Sequence, residues 1–146
     1  MNPGLSSEAL RKLAVDGYFG RVVARDMDGL MGNISPDATM AIPPLAIAFK
    51  GKEAIAAHFQ EFLESYAPID IDDFQTTADP ENGTVAVRFH IALTSVADGS
   101  RTDMHNCNFF HCDAAGQIEK IVIYMSDLPT EGFAAGATRQ KDHGER

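Results

Sequence analysis

The sequence predicts an α+β fold in which helices of the first half are cradled by a curved antiparallel sheet of the second. Three observations carry that reading. Apolar residues of the first half recur at three- and four-residue steps. Three turn signals, Asn82-Gly83, Asp98-Gly99 and Asp113-Ala114-Ala115-Gly116, then divide the second half. Gly83, Gly99 and Gly116 lie 16 and 17 residues apart, so the strands between them are about twice the usual ~5–6 residues. Strands that long twist and coil, and the helices are what they can wrap around.

Each element has its own signal. From Ser6 to Arg25, Leu10, Leu13, Ala14, Gly17, Tyr18 and Val22 share one helix face, with Ser6 or Ser7 as N-cap and Glu8 at the positive end. Asp26 caps a short second helix over Met27–Gly32, and Pro36-Asp37 breaks the pattern. Residues 38–49 read as extended segments interrupted by Pro43-Pro44. A third helix follows Gly51, with Ile55, His58, Phe59, Phe62, Leu63 and Tyr66 in one stripe, and Pro68 ends it. Residues 69–78 form an edge strand whose acids, Asp70, Asp72 and Asp73, discourage sheet-to-sheet aggregation. Long strands over 84–97, 100–112 and 117–127 complete a single domain, 1–127. Residues 128–146, rich in Gly, Ala and mixed charge, read as a mobile C-terminal tail.

Composition excludes several functions. The 146 residues suit one compact domain, and no apolar run approaches the ~20 residues of a membrane span. A net charge of −9 disfavours a nucleic acid or an anionic membrane as partner, because both reward clustered Lys and Arg. Two cysteines, Cys107 and Cys112, make no disulfide framework, and the first residues lack the basic and apolar stretches of a secretion signal. A cytoplasmic location is the expectation.

The turns also predict which side chains share a face. With Asp98-Gly99 as a two-residue hairpin, Phe89 opposes Asn108 and Leu93 opposes Met104; with Ala114-Ala115 at the next tip, Asn108 opposes Ile121 and Met104 opposes Met125. One face then collects Val85, Val87, Phe89, Ile91, Leu93, Met104, Asn106, Asn108, Phe110, Ile121, Ile123, Met125 and Asp127. It is almost wholly apolar and is expected to be concave. The other face carries Cys107, Phe109, Val122 and Tyr124 among polar neighbours, which suits a homodimer interface. His90 opposes Cys107 in this register, with His105 beside them. Such residues suit either an interface or a zinc ion, and the interface is the preferred reading, with no metal.

The order of elements resembles the NTF2-like superfamily, in particular its SnoaL-like and ketosteroid-isomerase-like members. The resemblance is carried by residues 18–30, Pro36-Asp37-Ala38-Thr39-Met40-Ala41-Ile42-Pro43, Phe49 to Ile55 with His58-Phe59, Asn108-Phe109-Phe110, and 116–127. It implies a cone-shaped, cystatin-like roll closed by helices around an apolar cavity, usually dimeric. On this scaffold relatives isomerise, cyclise, dehydrate, open epoxides or only bind, so fold alone does not carry function. Carried over residue by residue, the oxyanion-hole tyrosine of the ketosteroid isomerases falls on Tyr18 and their protonated aspartate on Asn108. Their aspartate base falls on Ile42, which takes no proton, so steroid isomerisation by that route is not expected. The histidines of scytalone-dehydratase-like members fall near Ile71 and Val96, and the arginine between carboxylates of limonene-epoxide-hydrolase-like members has no counterpart on the concave face.

Four residues are the candidate catalytic groups: Tyr18, His58, Asn108 and Asp127. His58 is a general acid or base or else a satisfied core histidine. Tyr18 is a hydroxyl donor or a packing ring. Asn108, with Asn106, needs partners once buried. Asp127 is a substitute base or a cap for the tail. Tyr18, Phe62, Phe89, Met104, Asn106, Phe110, Ile123 and Met125 are expected to line the ligand site. Two functions fit: a cofactor-independent isomerase, cyclase or dehydratase acting by acid–base chemistry on an apolar oxygenated compound of polyketide, terpenoid or steroid type, or a non-catalytic ligand-binding or dimerisation module. No phosphate-binding glycine loop is present, and no cofactor is expected.

Overall fold

A computed structural model describes residues 4–139 of the chain. The helical run from Ser7 is continuous but not uniform: α1 (Ser7–Ala14) passes through a π-helical turn (Val15–Phe19) into α2 (Gly20–Val23). Ser6 caps it, its hydroxyl accepting from the Ala9 N–H at 3.1 Å. The short helix α3 (Met27–Gly32) starts at Asp26, whose carboxylate accepts from the Gly29 N–H at 3.0 Å, as the sequence predicts. After β1 (Ile34–Ile42) and β2 (Ile47–Lys50), α4 (Lys52–Ser65) buries Ile55, His58, Phe59 and Phe62.

The second half is a meander of long strands: β3 (Tyr66–Asp79), β4 (Thr84–Ser95), β5 (Arg101–Cys112) and β6 (Ile118–Tyr124). A last short strand, β7 (Thr138–Arg139), joins β2. The seven strands form one open, curved sheet in the order β3-β4-β5-β6-β1-β2-β7, antiparallel throughout except where β1 runs parallel to β6. Helices pack on its concave side and bury a core that includes Leu10, Phe49, Ile55, Phe110 and Ile121. The expected α+β roll is the observed one.

The register differs from expectation in an instructive way. The β4–β5 loop is longer than two residues: Ser95 N–H donates to the Ser100 carbonyl, and Gly99 N–H reaches back to the Ser95 carbonyl. Asp98 holds this loop by accepting from both the N–H and the hydroxyl of Ser100. Phe89 therefore opposes Asn106 rather than Asn108, and Ile91 opposes Met104. At the next hairpin Asn108 opposes Ile123 rather than Ile121. Both slips are of two residues. Because side chains alternate with period two, the slips leave every residue of these ladders on its expected face. Val85, Val87, Phe89, Ile91, Leu93, Met104, Asn106, Asn108, Phe110, Ile121 and Ile123 are all buried. On the outer face, His90 opposes His105 and not Cys107.

Residues 128–139, read from the sequence as part of a mobile tail, make defined contacts with the domain. Phe133 is buried, Tyr66 donates its hydroxyl to the Glu131 carbonyl at 2.7 Å, and the Glu61 carboxylate accepts from the N–H groups of Ala134 and Ala135. Gly132, at φ 84°, lies so close to the Tyr66 ring that a Cβ there would sit 2.7 Å from it. Residues 140–146, the rest of the expected tail, lie outside the described residues.

Candidate functional site

A cavity of about 50 Å³ lies between the helices and the concave face of β4, β5 and β6. Tyr18 and Phe19 reach it from the π-helical turn. In a regular α-helix successive side chains diverge by about 100°, and the wider turn brings both rings inward. The carbonyl of Gly17 in that turn accepts from Asn33 Nδ2 at 3.0 Å. A Cβ on Gly17 would come within 2.9 Å of the same amide nitrogen, so glycine admits the partner that satisfies this turn.

His58, Phe59 and Phe62 enter from the buried stripe of α4. The His58 ring is enclosed by aromatics: Phe59 at 4.8 Å, Phe49 at 4.9 Å, Phe133 at 5.6 Å and Phe62 stacked at 6.0 Å between centroids. Burial drives its imidazole down to about 4, opposed in part by the nearby Phe133 main chain. The ring is therefore neutral at pH 7. Burial also pushes the Tyr18 phenol well above its usual value, so it stays a protonated donor.

From the sheet, Phe89, Ile91, Met104, Asn106, Asn108, Ile123 and Met125 complete the lining. Asn106 Oδ1 accepts from the Ser126 N–H at 3.2 Å. Asn108 is 2% exposed, and among the described residues its Oδ1 has no hydrogen-bond partner; the same is true of Nδ1 of His58, also 2% exposed. Each such sealed, unpaired group costs about 1–3 kcal/mol. Two of them in one apolar cavity is the chemical signature of this site.

The structure thus brings together Tyr18, His58, Asn106 and Asn108 with Phe62, Phe89, Met104, Ile123 and Met125, all expected from the sequence. Two residues fall elsewhere. Phe110 is fully buried behind the cavity, its ring 4.7 Å from Tyr18, and acts as the backing for that ring. Asp127 is exposed and accepts from the Leu128 N–H, so it contributes no group to the cavity. The reason is that β6 ends at Tyr124: Ser126 replaces the next ladder pair, its Oγ accepting from the His105 N–H and its own N–H going to Asn106. Ile42 is fully buried in the core and does not line the cavity.

Sequence reasoning passed over Phe19, Val22, Phe59, Ile71, Ile91 and Phe133 as lining residues. Val22, Phe59 and Ile91 already lay on the predicted apolar faces. Phe19 is off the helical stripe and enters only through the π-helical turn. Phe133 sits in a stretch whose composition signals a tail. Among the described residues no group of three or more His, Cys, Asp or Glu is placed to hold a metal ion. No helix among them is long and apolar enough to cross a membrane.

An open curved sheet, closed on its inner side by helices around an aromatic cavity, defines the class: an NTF2-like, cystatin-like α+β roll. The SnoaL-like domain family matches residues 15–121, and the chain belongs to that family. No curated protein matches it. Among solved structures, it is similar to a candidate polyketide cyclase of Xanthomonas campestris (19% identity, 81% of this chain and 90% of that one, TM-score 0.73). It is also similar to SalBIII, described as an epoxide hydrolase/cyclase-like enzyme in pyran ring formation in the polyether salinomycin (22% identity, 84% and 95%, TM-score 0.72). A third, from Methylobium petroleophilum, is a protein of unknown function described as having a cystatin-like fold (21% identity, 90% and 85%, TM-score 0.66).

Proposed function

We propose that the protein is a cofactor-independent enzyme of isomerase, cyclase or dehydratase type, acting by acid–base chemistry on an apolar oxygenated compound of polyketide, terpenoid or steroid character. The observation that carries the reading is the pair of sealed, unpaired polar atoms on His58 and Asn108 within an aromatic cavity. Groups held at such cost in a packed interior are a mark of functional sites. In this reading Tyr18 donates its hydroxyl to a substrate oxygen, the Asn108 amide holds the same end of the molecule, and neutral His58 takes the proton. The apolar walls exclude water and strengthen these interactions. With Ile42 at the base position of the steroid isomerases, His58 replaces the carboxylate as proton acceptor.

The test is a panel of carbonyl and epoxide substrates of these classes. Turnover is expected in the parent, with kcat/KM falling about 10²–10⁴-fold in His58→Ala while binding persists. Tyr18→Phe is expected to lower turnover by a smaller factor, again with binding retained. A parent inert across the panel supports the second reading, a ligand-binding module.

Supporting a homodimer through the outer sheet face are Phe109 and Tyr124, exposed by 37% and 45% with their rings 6.0 Å apart, beside half-buried Cys107 and Val122. Sedimentation should give a dimer mass, and Tyr124→Lys should shift it to monomer; a monomeric parent overturns this part.

A further inference from the structure

The segment 128–139 closes the cavity with a single ring. Gly132 and Phe133 are its only buried residues. The Phe133 phenyl packs 5.3 Å from Phe62, 5.6 Å from His58 and 6.2 Å from Tyr66. Otherwise the segment is held by part-buried and exposed polar contacts, by Ala137 against the core and, at its end, by the pairing of β7 with β2. Ser95 donates its hydroxyl to the Glu131 carboxylate at 3.0 Å, Tyr66 bonds the Glu131 carbonyl, and Glu61 takes two main-chain N–H groups. Each neutral hydrogen bond of this kind contributes only modestly net, since opening exchanges it for bonds with water.

Phe133 is also a shared wall. On its inner side is the 50 Å³ cavity; on its outer side a groove of about 450 Å³ runs between β2, α4 and the segment, past Leu45, Ile47 and Pro129. Among the described residues no other lines both. The inner space holds only a few waters, each needing about 10–15 Å³. A ring compound reaches Asn108 only if the phenyl leaves. What the inner end then offers is an acceptor: Asn108 Oδ1 is a sealed carbonyl oxygen without a donor.

We propose that the Phe133 side chain occupies the ring subsite of this cavity, and that a flat, hydroxyl-bearing ring compound replaces it as the strap 128–135, anchored beyond its end where β7 pairs with β2, swings out and joins cavity to groove. This rests on the cavity being a small-molecule site, as argued above, but not on its being catalytic. The ligand's ring stacks among Phe62, His58 and Tyr66, its hydroxyl donates to Asn108, and its remainder lies in the outer groove.

The probe is 2-naphthol, titrated by its own fluorescence against the full chain. Phe133→Ala, checked for an intact fold by near-ultraviolet circular dichroism, is expected to bind it at least tenfold more tightly than the parent. 2-Methoxynaphthalene, which lacks the donor, is expected to bind that variant at least fivefold more weakly. Equal affinity of parent and Phe133→Ala overturns the strap, and equal affinity of the two naphthalenes overturns the hydroxyl preference. Should Phe133→Ala not fold, Ser95→Ala decides: releasing Glu131 should raise 2-naphthol affinity two- to threefold, and no change overturns the proposal. The catalytic reading fails separately. A panel without turnover, together with tight naphthol binding by Phe133→Ala, sinks the enzyme and leaves the strap standing; turnover with binding indifferent to position 133 does the reverse.

Discussion

The two sides of the sheet treat histidine in opposite ways. Inside, His58 is wrapped in rings, has an unpaired Nδ1, and is driven down to about 4 by burial. Outside, His90 is gripped by Asp72 and Asp103, each at 2.8 Å, and those hydrogen bonds raise its pKa. The inner face removes charge and leaves dipoles without partners. The outer face collects charge and pairs it: Asp103, also bonded to Arg101, is held down to about 2. Surroundings, not residue type, decide which imidazole can take up a proton from a ligand at neutral pH.

The comparison breaks most severely if a charge is forced inside. Asn108→Asp places a carboxyl where the amide is 2% exposed. Burial should raise its pKa by about 3–5 units, so the folded protein holds the proton longer than the unfolded chain. Stability is then fully present below the unfolded value near ~4 and lost as pH rises, by about 4 kcal/mol at pH 8. Urea denaturation at two pH values measures this, and a flat difference from the parent would mean that the site is wet.

His58→Phe sharpens the contrast by a smaller step. The parent's folded pKa, about 4, lies below the unfolded value, so this group's contribution is complete above ~6.5 and is lost as pH falls toward 4. The variant should lack that loss, roughly 3 kcal/mol in size, over the same window. Smallest is His90→Asn on the outer face. The raised pKa of His90 makes its contribution full below ~6.5 and lost as pH rises, but solvent and salt screen an exposed pair. Thermal melts at moderate salt should not separate this variant from the parent; a clear loss would mean that the outer network is covered in solution.

How much of this was legible in the sequence follows from what each signal encodes. Alternation along β4 and β5 is a property of residues two apart, so inside and outside were readable even though both hairpin registers were misjudged by two. Helix caps are equally local, and Ser6 and Asp26 act as their types predict. Asp127 was misplaced because the end of β6 depends on a contact between chain segments, Ser126 with Asn106 and His105, that no window contains. Phe133 was missed for a related reason. One ring among glycines and alanines carries no periodicity, yet it has a place because Glu61, Ser95 and Tyr66, all more than thirty positions away, hold its neighbours.

The parallel pairing of β1 with β6 constrains how the chain comes to fold. Met40 lies beside Ile121, so the two edges of the sheet's seam are about eighty residues apart along the chain. The meander from β3 to β6 can zip by short hairpins, each closing a loop of only a few residues. The seam closes by a far longer search, and until it does, the early strands and α4 expose their apolar sides. During synthesis the N-terminal half must wait for the last long strand to leave the ribosome, which makes this seam the step at which misassembly with another copy competes most directly with folding.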